Sequence, residues 1–173
     1  MKNGILATKN EDIDHDTAVL VAEELGIDNH TTLTHMQSFK GAAMRQQVIK
    51  TESPRIYRDF GHAPSKVRAT IDAVRENHPG QSIGVIVELH SYSSMLADFI
   101  PQYAGVFQSV DVAAVCVDKH AFEIKQMPVL TESQIQQAFD SSECQVIYDQ
   151  ESLITQLEAY QSLDVVLLLS SGN

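Results

Sequence analysis

The chain is predicted to be an α/β protein: a Rossmann-like, mostly parallel sheet with flanking helices, preceded by a short helical tail. Three observations predict it. From Arg55 onward, short apolar runs alternate with helical stretches of about ten to fifteen residues, the pattern of parallel strands joined by right-handed crossovers. Ile83–Val87 and Val165–Leu169 are continuously apolar, as strands covered on both faces are. Pro64 opens an amphipathic stretch directly after a strand and a polar loop, the strand-to-helix joint of such folds.

Taken in order, Ile13 to Leu25 predicts a helix with Val19, Ala22 and Leu25 on one face, stopped by Gly26. A second helix is expected from Thr31 or Thr32 to Phe39, ended by Gly41. Two small helices bring no sheet of their own, so residues 1–43 are expected to be the helical tail of a neighbouring domain and 44–173 the Rossmann-like unit. Met44–Ile49 and Arg55–Phe60 are extended and separated by Thr51-Glu52-Ser53-Pro54, which suits a hairpin. Helix Pro64–Asn77 places Val67, Ile71 and Val74 on one face and stops at His78-Pro79-Gly80. Strand Ser82–Leu89 follows, then a helical region from Ser94 to Gln108 and strand Val112–Val117. Thr131 caps a helix to Asp140, with Glu132 in its first turn where the dipole favours an acid. Strand Gln145–Tyr148, helix Gln150–Gln161 and strand Asp164–Leu169 complete the pattern.

Composition narrows the partners. A formal net charge of -11 argues against nucleic acid and anionic membranes, since phosphate binding needs clustered Lys and Arg. No apolar run approaches the ~20 residues of a membrane span, and the N-terminal apolar stretch is too short for a secretory signal. Cys116 and Cys144 are isolated; Cys116 lies in an apolar run, as a buried reduced thiol would, which suits the cytosol.

Three expected strand ends carry polar groups: Asp59, Gly61 and His62; Glu88-Leu89-His90-Ser91-Tyr92-Ser93-Ser94; and Ser170-Ser171-Gly172-Asn173. In a parallel sheet these ends lie along one edge, where ligands of open α/β sheets bind, and the helix starting at Pro64 offers its N-terminus to an anion. The seven histidines show no metal-binding spacing, and no Cys-x-x-Cys occurs. A serine hydrolase is poorly supported: Gly-x-Ser-x-Gly is missing, although Ser91, Ser93 or Ser94 could stand beside His62 and Asp59. Neither Gly-x-Gly-x-x-Gly nor the triphosphate-cradling Gly-x-x-x-x-Gly-Lys-Ser/Thr occurs in these residues. Two readings remain open on this basis, one domain of a larger enzyme or a non-catalytic module that docks through its polar edge.

Four segments carry a resemblance: Phe39-Lys40-Gly41-Ala42-Ala43-Met44-Arg45, Asp59-Phe60-Gly61-His62-Ala63-Pro64, Glu88 to Ser93, and Ser170 to Asn173. In order and spacing they resemble the C-terminal domain of the Mur ligases, bacterial enzymes of cell-wall peptide assembly. The resemblance implies a cytoplasmic, ATP-dependent amide-forming enzyme with N-terminal and central ligase domains as partners. UDP-N-acetylmuramate and a peptide or amino acid would be its substrates, with ATP and Mg2+ in the full-length enzyme and neither expected on this fragment alone. The helices before Gly41 would end the central, phosphate-loop domain, and the isolated fragment would be inactive.

The resemblance also implies roles. Arg45 would reach the ATP phosphates, Asp59 would contact the nucleotide, and His62 would act at the reacting groups. His90, Ser91, Tyr92, Ser94 and Ser171 would receive the incoming substrate. Met44 and Gln47 depart from the family's Arg-Arg-x-Glu pattern. Ser91 and Ser94 stand where alanine-adding members carry arginines, so the resemblance leans toward the members that add a cell-wall tripeptide.

Overall fold

A computed structural model describes the backbone of residues 9–38 and 45–172, and side chains within 17–36 and 45–172. The chain divides into two compact units, Met1–Ala43 and Met44–Asn173. The segment from Phe39 to Met44 and Asn173, both part of the resemblance above, lie outside the described residues.

In the first unit, α1 (Lys9–Glu24) touches α2 (Asn29–Ser38). Helix α1 ends where Gly26 adopts a φ of +78°, which an L side chain resists. The Gly26 N–H then donates to Glu23 and the Ile27 N–H to Ala22, closing a Schellman motif. Asp28 starts α2 by accepting the Thr31 N–H at 2.9 Å and its hydroxyl at 2.6 Å, bonds that hold its carboxyl below the ordinary range.

The second unit holds one six-stranded sheet. Its strands are β1 (Gln47–Lys50), β2 (Arg55–Asp59), β3 (Ile83–Leu89), β4 (Val112–Val117), β5 (Gln145–Ile147) and β6 (Val165–Leu169), in the spatial order β1-β2-β6-β3-β4-β5. Strand β1 pairs antiparallel with β2, as the expected hairpin, and all other pairs are parallel. Helix α3 (Pro64–Asn77) buries Val67, Ile71 and Val74, the predicted stripe. The last strand inserts between β2 and β3, so apolar β6 is flanked on both sides and almost wholly buried.

Alternation sorts the sheet residues into two layers. Ile86, Ala114, Ile147 and Val166 point to one face, where Leu153 and Leu157 of α6 (Gln150–Ala159) and the following Tyr160 pack on them. The residues between them, such as Val85, Val87, Val115 and Leu167, are equally buried on the other. Tyr103 stacks on Phe139 of α5 (Glu132–Phe139) with ring centroids 4.8 Å apart, and Phe107 lies 5.1 Å from the same ring. Thr131 and Gln134 cap α5 reciprocally, as its sequence indicates.

Two expectations need correction. Ser94 to Gln108 is no α-helix: it forms two short 3-10 turns, Ser93–Met95 and Ile100–Tyr103, joined by bends. Pro101 lacks the N–H that a continuous helix would need there, and Gly105 takes a φ of +72°. A short helix α4 (Lys119–Ile124) also follows β4, started by Asp118, whose carboxylate accepts the N–H groups of His120 and Ala121. Its six residues are too few to show a periodic stripe.

Candidate functional site

The strand order brings the three polar loops together. Strands β2, β6 and β3 are adjacent and parallel, with Leu169 in register with both Asp59 and Val87. Their C-terminal ends therefore open on one rim, and the Ser170 N–H donates to the Asp59 carbonyl at 3.1 Å. The β6 end lies more than 80 positions along the chain from the other two, and joins them because the last strand fills the centre.

At the end of β2, Asp59 is only 5% exposed. One carboxylate oxygen accepts the Gln46 N–H at 2.7 Å and the other the Gly61 N–H at 2.6 Å. The acid expected to contact a nucleotide is thus engaged inside the protein, holding the backbone on either side of the rim. Gly61 has the matching reason: a Cβ there would lie 2.7 Å from Asp59 Oδ1 and 3.3 Å from Thr70 Oγ1. The group that approaches the Gly61 backbone closely is the protein's own carboxylate.

Beyond Asp59, three side chains form a row. The exposed Arg45 guanidinium lies 5.6 Å above the Phe60 ring, a cation–π distance. The His62 ring meets Phe60 edge-on at 5.2 Å. His62 Nδ1 is 3.0 Å from the Phe60 carbonyl, which can only accept, so Nδ1 is the donor of this contact. Nε2 has no partner among the described residues. The buried Tyr103 hydroxyl donates to the His62 carbonyl; burial pushes this phenol up to about 12, so it stays a donor at neutral pH.

The loop after β3 is built from serines. Ser94 is fully buried, donates to the Ser91 carbonyl at 2.8 Å and accepts from the Ser91 hydroxyl at 3.0 Å. Its expected contact with substrate has no surface to occur on; its hydroxyl shapes the turn. Tyr92 is 62% exposed, and Ser91 and Ser171 are half-buried. His90 Nδ1 is buried with no hydrogen-bond partner among the described residues, while the His90 carbonyl accepts Lys125 Nζ at 2.6 Å. At the end of β6, the Ser170 hydroxyl donates to Glu88, Gly172 N–H donates to Ser170 Oγ at 2.9 Å, and Arg58 Nη2 reaches the Gly172 carbonyl at 3.4 Å.

Residues 44–172 match the family described as Mur ligase, glutamate ligase domain. The chain belongs to the Mur ligases. A UDP-N-acetylmuramate–L-alanine ligase of Lactococcus lactis is 30% identical over 95 residues, 55% of this chain and 21% of its own length. The enzyme of that name from Sorangium cellulosum is 28% identical over 161 residues, 90% of this chain and 34% of its own. This Mur ligase domain therefore spans only a fifth to a third of the curated relatives it matches. A murein peptide ligase from Psychrobacter arcticus shares the fold at 17% identity, with a TM-score of 0.64 over 89% of this chain and 32% of that one.

The ends of β2, β6 and β3, and the loops that carry the expected site residues, follow one another along a single rim, where Asp59 and Ser94 are engaged in hydrogen bonds within the protein. Two further participants had no role assigned from sequence. Glu88 stands in the second polar strand end, an acid interrupting an apolar strand. Lys125 follows α4, 35 residues from His90, and nothing in its local sequence marks it. Among the described residues no group of three His, Cys, Asp or Glu could hold a metal ion, and no helix is long and apolar enough to cross a membrane.

Proposed function

We propose that this Mur ligase domain closes over ATP and positions the incoming amine in an ATP-dependent amide synthesis on UDP-N-acetylmuramate. In that reaction ATP phosphorylates the sugar's carboxylate, the amine attacks the acyl phosphate, and inorganic phosphate leaves. The single observation that carries this reading is the convergence of the β2, β6 and β3 ends on one rim. The exposed Arg45 guanidinium suits the spread charge of phosphates, and the nearby start of α3 favours the same sign. His62, whose Nε2 has no partner among the described residues, takes the proton that the attacking amine must lose. His90, Ser91, Tyr92 and Ser171 face the incoming molecule, while Asp59 and Ser94 hold the loops that present them. Mg2+ would arrive with ATP. The nucleotide substrates place the reaction in the cytoplasm.

The incoming amine belongs to a tripeptide in this reading. The curated relatives named above are L-alanine ligases by name, but Ser91 and Ser94 leave the β3 loop without a guanidinium for a free amino-acid carboxylate. The test joins the chain to a phosphate-loop central domain and follows amide formation with L-alanine and with L-alanyl-γ-D-glutamyl-meso-diaminopimelate. Turnover is expected with the tripeptide and none from these 173 residues alone. Arg45→Ala and His62→Ala should each lower kcat by about a hundredfold or more. Unchanged kcat in both variants would overturn the site, and a preference for free L-alanine would overturn the tripeptide.

A further inference from the structure

Glu88 lies on the same sheet face as Ile86 but at the open rim, where an apolar strand has no packing reason for an acid. It is half-buried, and the ion pairs among the described residues, Arg75–Asp111 and His120–Glu123, leave it without a cation. Its hydrogen-bond partner is the Ser170 hydroxyl, itself oriented by the Gly172 N–H at 2.9 Å. Arg58 approaches the same loop but bonds the Gly172 carbonyl instead of the carboxylate. Gly172 lets the loop come close to the acid: a Cβ there would lie 3.0 Å from Glu88 Oε2 and 3.6 Å from Oε1. A half-buried carboxylate with one hydroxyl donor and no ion-pair partner among the described residues is poised for a positive charge.

We propose that Glu88 binds the ammonium of the incoming amine substrate, an inference that rests on the ligase reading. An α-amine of ordinary pKa, about 7.7–8.0, reaches the rim mostly protonated. The Glu88 carboxylate receives that ammonium, Ser170 fixes the carboxylate's direction, and the amine is then held on the rim that also carries His62. Glu88 thereby selects a free amine over an acylated or hydroxylated analogue, independent of what the rest of the substrate is.

The test is an amide-resolved NMR titration of this chain with L-alaninamide, which carries a free α-ammonium and no carboxylate. Saturable shifts are expected at Glu88 and Ser170 to Gly172, absent with the neutral probes N-acetyl-L-alaninamide and L-lactamide. Glu88→Gln should weaken L-alaninamide at least tenfold. Equal shifts with the neutral probes, no saturable shift in the parent chain, or undiminished affinity in a folded Glu88→Gln variant would each overturn the inference; the neutral probes decide it even if that variant does not fold. Binding as expected, with no amide synthesis in the enzyme joined to its phosphate-loop domain, would sink the ligase reading and leave the ammonium site standing. Synthesis unaffected by Glu88→Gln would do the reverse.

Discussion

Asp59 and Gln46 stand thirteen positions apart, and a 2.7 Å hydrogen bond from the Gln46 N–H to the Asp59 carboxylate ties the entry to β1 to the exit of β2. The other oxygen takes the Gly61 N–H, so one buried acid sets the backbone on both sides of the hairpin's open end. Gln46 holds a φ of 42°, a conformation that a non-glycine residue keeps only where such a contact compensates. Asp59→Asn would turn an amide N–H₂ toward one of two backbone donors. The variant should unfold about 1–3 kcal/mol more easily in denaturant, and a parent-like midpoint would show that the clamp contributes nothing.

Gly84 makes a prediction about the sheet's covered face. A Cβ at this position in β3 would fall 2.5 Å from Leu163 Cδ1 and 3.0 Å from two ring carbons of the buried Tyr160. Gly84→Ala must therefore displace the Leu163 and Tyr160 side chains of the turn after α6, at a cost of about 1–3 kcal/mol. Urea unfolding should show a lower midpoint with an unchanged slope. Equal stability would mean that this turn yields freely.

The thiols predict an alkaline limit. Burial pushes Cys144 up to about 12 and, with the charges of Glu88, Asp118 and Asp149 adding, Cys116 up to about 11, from an ordinary 9.0. Above pH 9 the unfolded chain releases these protons while the folded chain retains them. Stability is therefore complete below about pH 9 and falls as the pH rises toward 11 and 12. Cys144→Ala should flatten that decline in unfolding free energy measured at successive pH values. A slope identical to the parent's would assign the loss to other groups.

Asp111 predicts the opposite limit. Its carboxylate accepts the Ile83 N–H at 2.8 Å and pairs with Arg75 at 2.8 Å, and these hold it below the ordinary 3.8. Its contribution is present above that ordinary value and is lost as the pH falls through the lower folded-state value. With the side chain 52% exposed, solvent screening keeps the ion-pair share small, and the N–H bond carries most of it. Asp111→Asn should make acid unfolding shallower below pH 4, a change visible in circular dichroism. An unaltered acid profile would exclude Asp111 as a determinant.

Much of this fold was legible because its signals are local. The Val67, Ile71 and Val74 stripe predicts a helix with the observed bounds, and the apolar run Val112–Val117 a strand with the observed bounds. Local signals failed where neighbours decide. Ser94 sits in a polar loop, where a binding role is a natural expectation, yet the turn it stabilises buries it completely. Asp59 carries the family motif, but only the folded hairpin brings the Gln46 N–H to its carboxylate. Lys125 reaches the His90 carbonyl across 35 residues, and no spacing rule spans that distance.

By itself the amino-acid order determined the strands and most of the helices, that the sheet is mostly parallel, and which family the motifs resemble, because hydrophobic period and turn chemistry act over a few residues. Which side chains face the rim was decided by tertiary structure alone. The insertion of β6 between β2 and β3 places Ser170 against Glu88 and against Asp59, a juxtaposition fixed by the pairing of strands far apart in the chain.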